Sequence, residues 1–200
     1  MRGSSQKILK ILRTRTVLRP AELDELGIPR ITLQRLYRRG LVEKVARGLY
    51  RLPDSPISEH HSLAEAAKMV PKGVICLLSA LRFHDLTTQA PHEIWMAIDR
   101  KTRLPMNKAL PIRFVRFSGP ALTEGVESRI IDGIPVRVYQ PAKTVADCFK
   151  YRNKIGVDVA LEALKECLRT RRCEADALWL FAKICRVSNV MRPYLEALHA

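Results

Sequence analysis

The first fifty residues carry the pattern that most restricts the fold. Three short helical repeats, punctuated by proline and glycine, are followed at once by two strand-length runs. Ile8, Leu9, Ile11 and Leu12 recur at helical spacing with Lys7, Lys10 and Arg13 among them, which predicts a basic amphipathic helix over residues 5–13. Thr16-Val17-Leu18 reads as an extended connector. Pro20 then stands at a first helical position, where its missing N–H costs nothing. Leu23 and Leu26 are expected to form the inward stripe of this second helix, with Gly27 as its left-handed stop. Beyond Gly27-Ile28-Pro29-Arg30 a third helix runs to about Arg39 and is closed by Gly40. Leu41-Val42-Glu43-Lys44-Val45 and Gly48-Leu49-Tyr50-Arg51-Leu52 make a hairpin around Ala46-Arg47-Gly48. Helix, helix, tight turn, helix, hairpin is the order of a winged helix-turn-helix, expected over residues 1–55 and edged by Pro53-Asp54-Ser55-Pro56.

Charge says what such a module would meet. The chain has 35 Lys and Arg against 20 Asp and Glu, a net charge of +15. Residues 1–53 hold 13 basic and 4 acidic side chains, or +9, and the remaining three quarters only +6. A field of that sign attracts polyanions, double-stranded DNA foremost. Turning 100° per residue puts Pro29, Leu33, Leu36, Tyr37 and Gly40 on the inner side of the third helix. Ile31, Gln34, Arg35 and Arg38 fall opposite, flanked by Thr32 and Arg39, with Arg30 at the start. Arginine bonds guanine bidentately, glutamine reads adenine, and Ile31 or the Thr32 methyl can touch a thymine methyl. Lys44, Arg47 and Arg51 on the hairpin, with Lys7 and Lys10, would hold phosphates and supply affinity rather than sequence choice.

From residue 56 the pattern changes to a mixed α/β domain with a helical C-terminal region, so the fold class is α+β. A helix through Leu63, Ala66, Ala67 and Val70 stops at Pro71, and Ser79-Ala80-Leu81-Arg82-Phe83-His84 makes another. Strand-like runs lie at residues 94–98, 112–117, 129–131 and 134–139, the last two flanking the hairpin signal Asp132-Gly133. Pro135 argues for a sheet edge. Four helical patterns follow Pro141. Lys143, Lys150 and Lys154, spaced i, i+7, i+11, would lie on one helical stripe, a possible basic surface of this domain.

Nothing in the sequence assembles a catalytic or metal centre, so no enzyme activity and no cofactor are expected. His60-His61 beside Glu59 and the pair His84-Asp85 point about 100° apart on a helix. Glu127, Asp132, Asp147 and Glu162 are scattered, whereas a nuclease needs carboxylates converging on a metal. There is no phosphate-cradling glycine loop and no nucleophile elbow. None of the five cysteines is spaced as CxxC, and each is expected to be a small buried hydrophobe. The longest apolar run, Val74-Ile75-Cys76-Leu77-Leu78, is far too short to span a bilayer, and the N-terminus leads into no signal-peptide core; a cytoplasmic protein without membrane contact is expected.

Several of these segments resemble the AbiEi antitoxin family. They are Ala46-Arg47-Gly48-Leu49-Tyr50-Arg51-Leu52-Pro53, the run Ser79-Ala80-Leu81 with His84, Leu86 and Thr87, and Arg129-Ile130-Ile131-Asp132-Gly133-Ile134-Pro135-Val136-Arg137-Val138-Tyr139. Most specific is Pro141-Ala142-Lys143-Thr144-Val145-Ala146-Asp147-Cys148-Phe149-Lys150-Tyr151-Arg152. The resemblance implies a two-domain antitoxin of a type IV toxin–antitoxin system of the kind known from phage defence. Its N-terminal winged helix would bind inverted repeats upstream of the operon and repress it, and residues 56–200 would serve antitoxicity and full repression. The toxin it counters would be a nucleotidyltransferase, with or without direct contact. Carried onto this chain, the family's DNA-binding surface picks out Arg30, Arg35, Arg38, Arg47 and Arg51, with Lys143 and Lys150. The alternative reading is a stand-alone winged-helix regulator whose second domain senses a ligand or a protein.

Overall fold

The computed structural model describes residues 2–15, 17–46, 48–54, 59–104 and 110–199. It is a mixed α+β fold in two compact units, with a two-stranded sheet and a five-stranded sheet. The first unit comprises Met1–Pro71 together with Arg129–Val136 and the residues around Leu104 and Leu110, so it reaches past residue 55.

In that unit, α1 (Arg2–Thr14), α2 (Pro20–Glu25) and α3 (Arg30–Arg38) are followed by an antiparallel pair, β1 (Glu43–Ala46) and β2 (Leu49–Arg51). Ile8 and Leu12 of α1, Leu23 of α2 and Leu33 and Leu36 of α3 meet Leu18, Ile28, Val42 and Tyr50 in one buried cluster. Leu18 exchanges both backbone hydrogen bonds with Tyr50, 2.8 and 3.0 Å, so the connector before α2 runs beside β2. Thr16, Arg47, Ser55 and Pro56 lie outside the described residues.

The inward stripe of α2 differs from the expected one. Leu23 is fully buried, but Leu26 is 52% exposed. Gly27, at φ +63°, reverses the chain, and Ile28 N–H bonds the Leu23 carbonyl at 2.9 Å while Gly27 N–H bonds that of Asp24. This left-handed cap swings Ile28 onto Leu23, so Ile28 takes the core position that helical spacing assigned to Leu26. Helix α4 (His61–Met69) is tied to α2 by an ion pair between Lys68 and Glu22.

The second unit comprises Lys72–Arg103, Pro111–Ser128 and Arg137–Ala200. Strands β3 (Val74–Ile75), β4 (Ile94–Asp99), β5 (Ile112–Phe117), β6 (Val126–Ile131) and β7 (Ile134–Tyr139) lie in the order β5-β4-β3-β7-β6, the turn-proximal parts of β6 and β7 within Arg129–Val136 belonging to the first unit. β4 and β5 are parallel over six residues, Ile94 opposite Ile112 through Asp99 opposite Phe117. β7 is therefore flanked on both sides, contrary to the edge position expected from Pro135. β3 is two residues long and reaches β7 only at Val138, so no β3 residue lies opposite Pro135 to need its missing N–H.

Helices α5 (Leu77–Phe83), the short α6 (Pro120–Thr123), α7 (Pro141–Lys150), the single turn α8 (Arg152–Ile155), α9 (Val157–Arg169), α10 (Ala175–Ile184) and α11 (Ser188–His199) complete this unit. α7 is its hub: every residue from Ala142 to Phe149 is buried, against α5, α9, α10 and α11. Cys167 and Cys173 are joined in a disulfide, Cα atoms 5.4 Å apart, instead of being separate thiols as expected. The turn that closes α9 brings them within bridging distance. Cys76, Cys148 and Cys185 are free and buried.

Candidate nucleic-acid interface

Two buried leucines of α3 fix which way its remaining residues look. With Leu33 and Leu36 seated in the core, Arg30, Ile31, Gln34, Arg35, Arg38 and Arg39 face solvent, Ile31 at 46% exposure. Thr32, expected to flank this face, is only 9% exposed beside Leu33, but it lines the cleft along α3 together with Ile31 and Arg35. Tyr37 departs the other way. Its ring is 47% exposed and meets Tyr50 edge-on at 5.9 Å, and Pro29 and Gly40 are exposed as well.

A cleft of about 740 Å³ runs along α3, with Ile31, Arg35 and Arg39 on one wall and Ser4, Ser5 and Gln6 from the first turns of α1 on the other. Sequence alone does not single out these α1 residues, since their small polar side chains carry no charge or periodicity signal. Lys7 and Lys10 of α1 and Lys44 of β1 are exposed.

Two of the expected phosphate-contacting or base-reading arginines already hold carboxylates. Arg30 Nε bonds both carboxylate oxygens of Asp24 at 3.0 Å. That hydrogen bonding holds the Asp24 carboxyl below its usual range and raises the guanidinium. Arg51 is paired with Glu43 across the β1–β2 ladder, and its Nη1 lies 3.1 Å from His61 Nε2. The His61 ring is in turn 3.2 Å from Glu65 through Nε2 and 3.2 Å from Asp132 through Nδ1, so the base of β2 is anchored in a cluster of polar side chains. Of these partners, Asp132 is the one that lies far away in sequence. Arg47 lies outside the described residues.

The lysine stripe expected in the second unit does not form. Lys143 is fully buried, with Nζ 2.6 Å from Asp147 Oδ2 and over the rings of Tyr139 at 4.1 Å and Phe117 at 4.9 Å. Lys150 is exposed at the last position of α7. Lys154 is exposed on α8, beyond the break at Tyr151, so no continuous helix carries the three. Burial raises the Asp147 carboxyl despite the opposing pull of Lys143, and it pushes the Cys185 thiol, which donates to Asp147 Oδ1 at 3.2 Å, up to about 12. Among the described residues no group of three or more His, Cys, Asp or Glu could hold a metal ion, and no helix is long and apolar enough to cross a membrane.

The first unit thus holds a three-helix module with a basic, solvent-facing third helix followed by a hairpin. Residues 6–53 match the family model described as "Transcriptional regulator, AbiEi antitoxin", so the AbiEi resemblance holds for this stretch of the chain. The crystal structure of the RV2827C protein from Mycobacterium tuberculosis is similar at a TM-score of 0.60 and 14% identity, over 90% of this chain and 71% of that one, a likeness of fold alone. A search of curated proteins returns no match.

Proposed function

We propose that the chain is a DNA-binding transcriptional autorepressor and the antitoxin of a type IV toxin–antitoxin system. Residues 1–55 act as a winged helix-turn-helix, α3 as the reading helix and β1–β2 as the wing. The observation that carries this reading is the outer face of α3: Ile31, Gln34, Arg35 and Arg38 stand in solvent on a helix that Leu33 and Leu36 lock into the core. That set offers bidentate donors for guanine, an amide for adenine and an apolar contact for thymine, on an element of the width a major groove admits. Lys7, Lys10 and Lys44 are the phosphate contacts. Arg30 and Arg51 position the reading helix and the wing through Asp24 and Glu43, and reach DNA only by giving up those partners. The AbiEi match over residues 6–53 supports a regulator of this type.

A promoter–reporter fusion carrying the gene's own upstream DNA tests the repressor half. Expression of the intact protein should lower reporter output, and Arg35→Ala/Arg38→Ala should restore it. For the antitoxin half, a gene for a nucleotidyltransferase beside this one is expected, whose growth arrest this chain relieves. Repression without relief of toxicity would leave a stand-alone winged-helix regulator.

A further inference from the structure

The second unit holds a cavity of about 690 Å³, in the size range of small-molecule sites. Among the described residues five cations line it, Arg100, Arg116, Lys150, Lys183 and Arg186, and no Asp or Glu does. It lies where the parallel strands β4 and β5 end: Arg100 follows β4, and Arg116 and Phe117 close β5. Lys150 arrives from the end of α7, and Lys183 and Arg186 from the end of α10. Four separate elements thus bring like charges to one concave site, which repel one another until an anion enters.

Three features mark this as more than a wet basic face. Nη1 of Arg116 is tied to the carbonyls of Arg100, at 2.5 Å, and Thr102, at 3.2 Å, which holds its guanidinium in place. Arg100, Lys183 and Arg186 make no ion pair with a described residue, and the buried carboxylate Asp147 is already paired with Lys143 at 2.6 Å. Arg186 itself sits at φ +59°, at the left-handed position that closes α10, where Val187 N–H bonds the Ala182 carbonyl. Glycine is at ease in that conformation and arginine is not. An arginine kept there puts a guanidinium on the cavity wall at a cost to the helix cap.

We propose that this cavity binds a compact anion of two or three linked phosphates, as a nucleoside di- or triphosphate or as inorganic polyphosphate. The cations clamp the phosphate oxygens, and the ring of Tyr151, also in the lining and half-buried, stands beside them for a base. The site is concave and of mononucleotide size, so a DNA duplex can cross its mouth but not fill it. The inference does not rest on the DNA-binding reading.

The test is equilibrium binding of ribose-labelled fluorescent ATP to the intact protein, with competition by unlabelled ATP, GTP, tripolyphosphate and a DNA duplex. Saturable binding is expected, weakened about tenfold or more by Arg100→Ala/Lys183→Ala, since charge-assisted hydrogen bonds are lost. Arg186→Gly is expected to weaken it as well while leaving thermal stability unchanged or raised, which separates lost binding from lost folding. Tripolyphosphate matching ATP as competitor identifies the phosphates as the recognised group; ATP prevailing adds the base. Absence of saturable ATP binding, or binding that survives both variants, overturns the proposal. So does displacement by duplex DNA alone, which would make the cavity part of a nucleic-acid surface.

Discussion

Lys143 and Asp147 show how a charged residue can belong to the core. Removing one partner of such a pair leaves the other charge buried and alone, at a typical cost of about 3–5 kcal/mol. Lys143→Met should therefore destabilise the protein by roughly that amount, as read by denaturant unfolding, while Lys143→Met/Asp147→Leu should cost less. The pH dependence follows from burial raising the Asp147 carboxyl. A carboxyl whose folded pKa lies above its unfolded value binds its proton more tightly in the native state, so its contribution to stability falls as pH rises between the two values. Without Lys143 that pKa goes higher still. The deficit of Lys143→Met against the parent should be largest at neutral pH and narrow as the pH falls; a deficit independent of pH would contradict the assignment. On α3, Arg35→Ala or Arg38→Ala should each cost about 1–3 kcal/mol of operator binding and relax base choice. Arg30→Ala should change specificity less, because Arg30 is already bonded to Asp24.

The elements were legible in the sequence wherever their signals were local. Pro20, Gly27 and Gly40 punctuate the first three helices, and residues 112–117 and 134–139 alternate as their strands require. What was hidden depended on tertiary pairing. β3 is two residues inside an apolar run, and it is a strand only because β4 and β7 flank it. The lysine stripe assumed a helix that continues through Tyr151, where α7 in fact stops. In the candidate interface the outward face of α3 could be read from its 100° turn, but the bond from Arg51 to His61, and through it to Asp132, could not. Two glycines separate conformational need from contact. Gly27, at φ +63°, has open space where a Cβ would stand, so Gly27→Ala should cost about 1 kcal/mol from backbone strain alone. Gly133, at φ +74° in the β6–β7 turn, would place a Cβ 2.6 Å from the Thr14 carbonyl oxygen. Gly133→Ala should cost clearly more than Gly27→Ala in thermal unfolding, and equal losses would remove the packing argument.

For the molecule as a whole, the unequal spread of its +15 charge predicts how binding responds to salt. Each phosphate neutralised contributes about −0.9 to the slope of log K against log salt. Lys7→Ala, Lys10→Ala and Lys44→Ala should each make that slope shallower by about one, and weaken all DNA sequences alike. A loss confined to one sequence would instead make the lysine a base reader. The most direct measurement is a salt-series titration of the intact protein against its gene's upstream DNA, beside a scrambled duplex of equal length. A preference for the upstream DNA of about tenfold or more, abolished in Arg35→Ala/Arg38→Ala, is expected if α3 reads sequence. Equal affinity for both duplexes with only a steep salt slope would contradict it and reduce the basic face to a general polyanion surface.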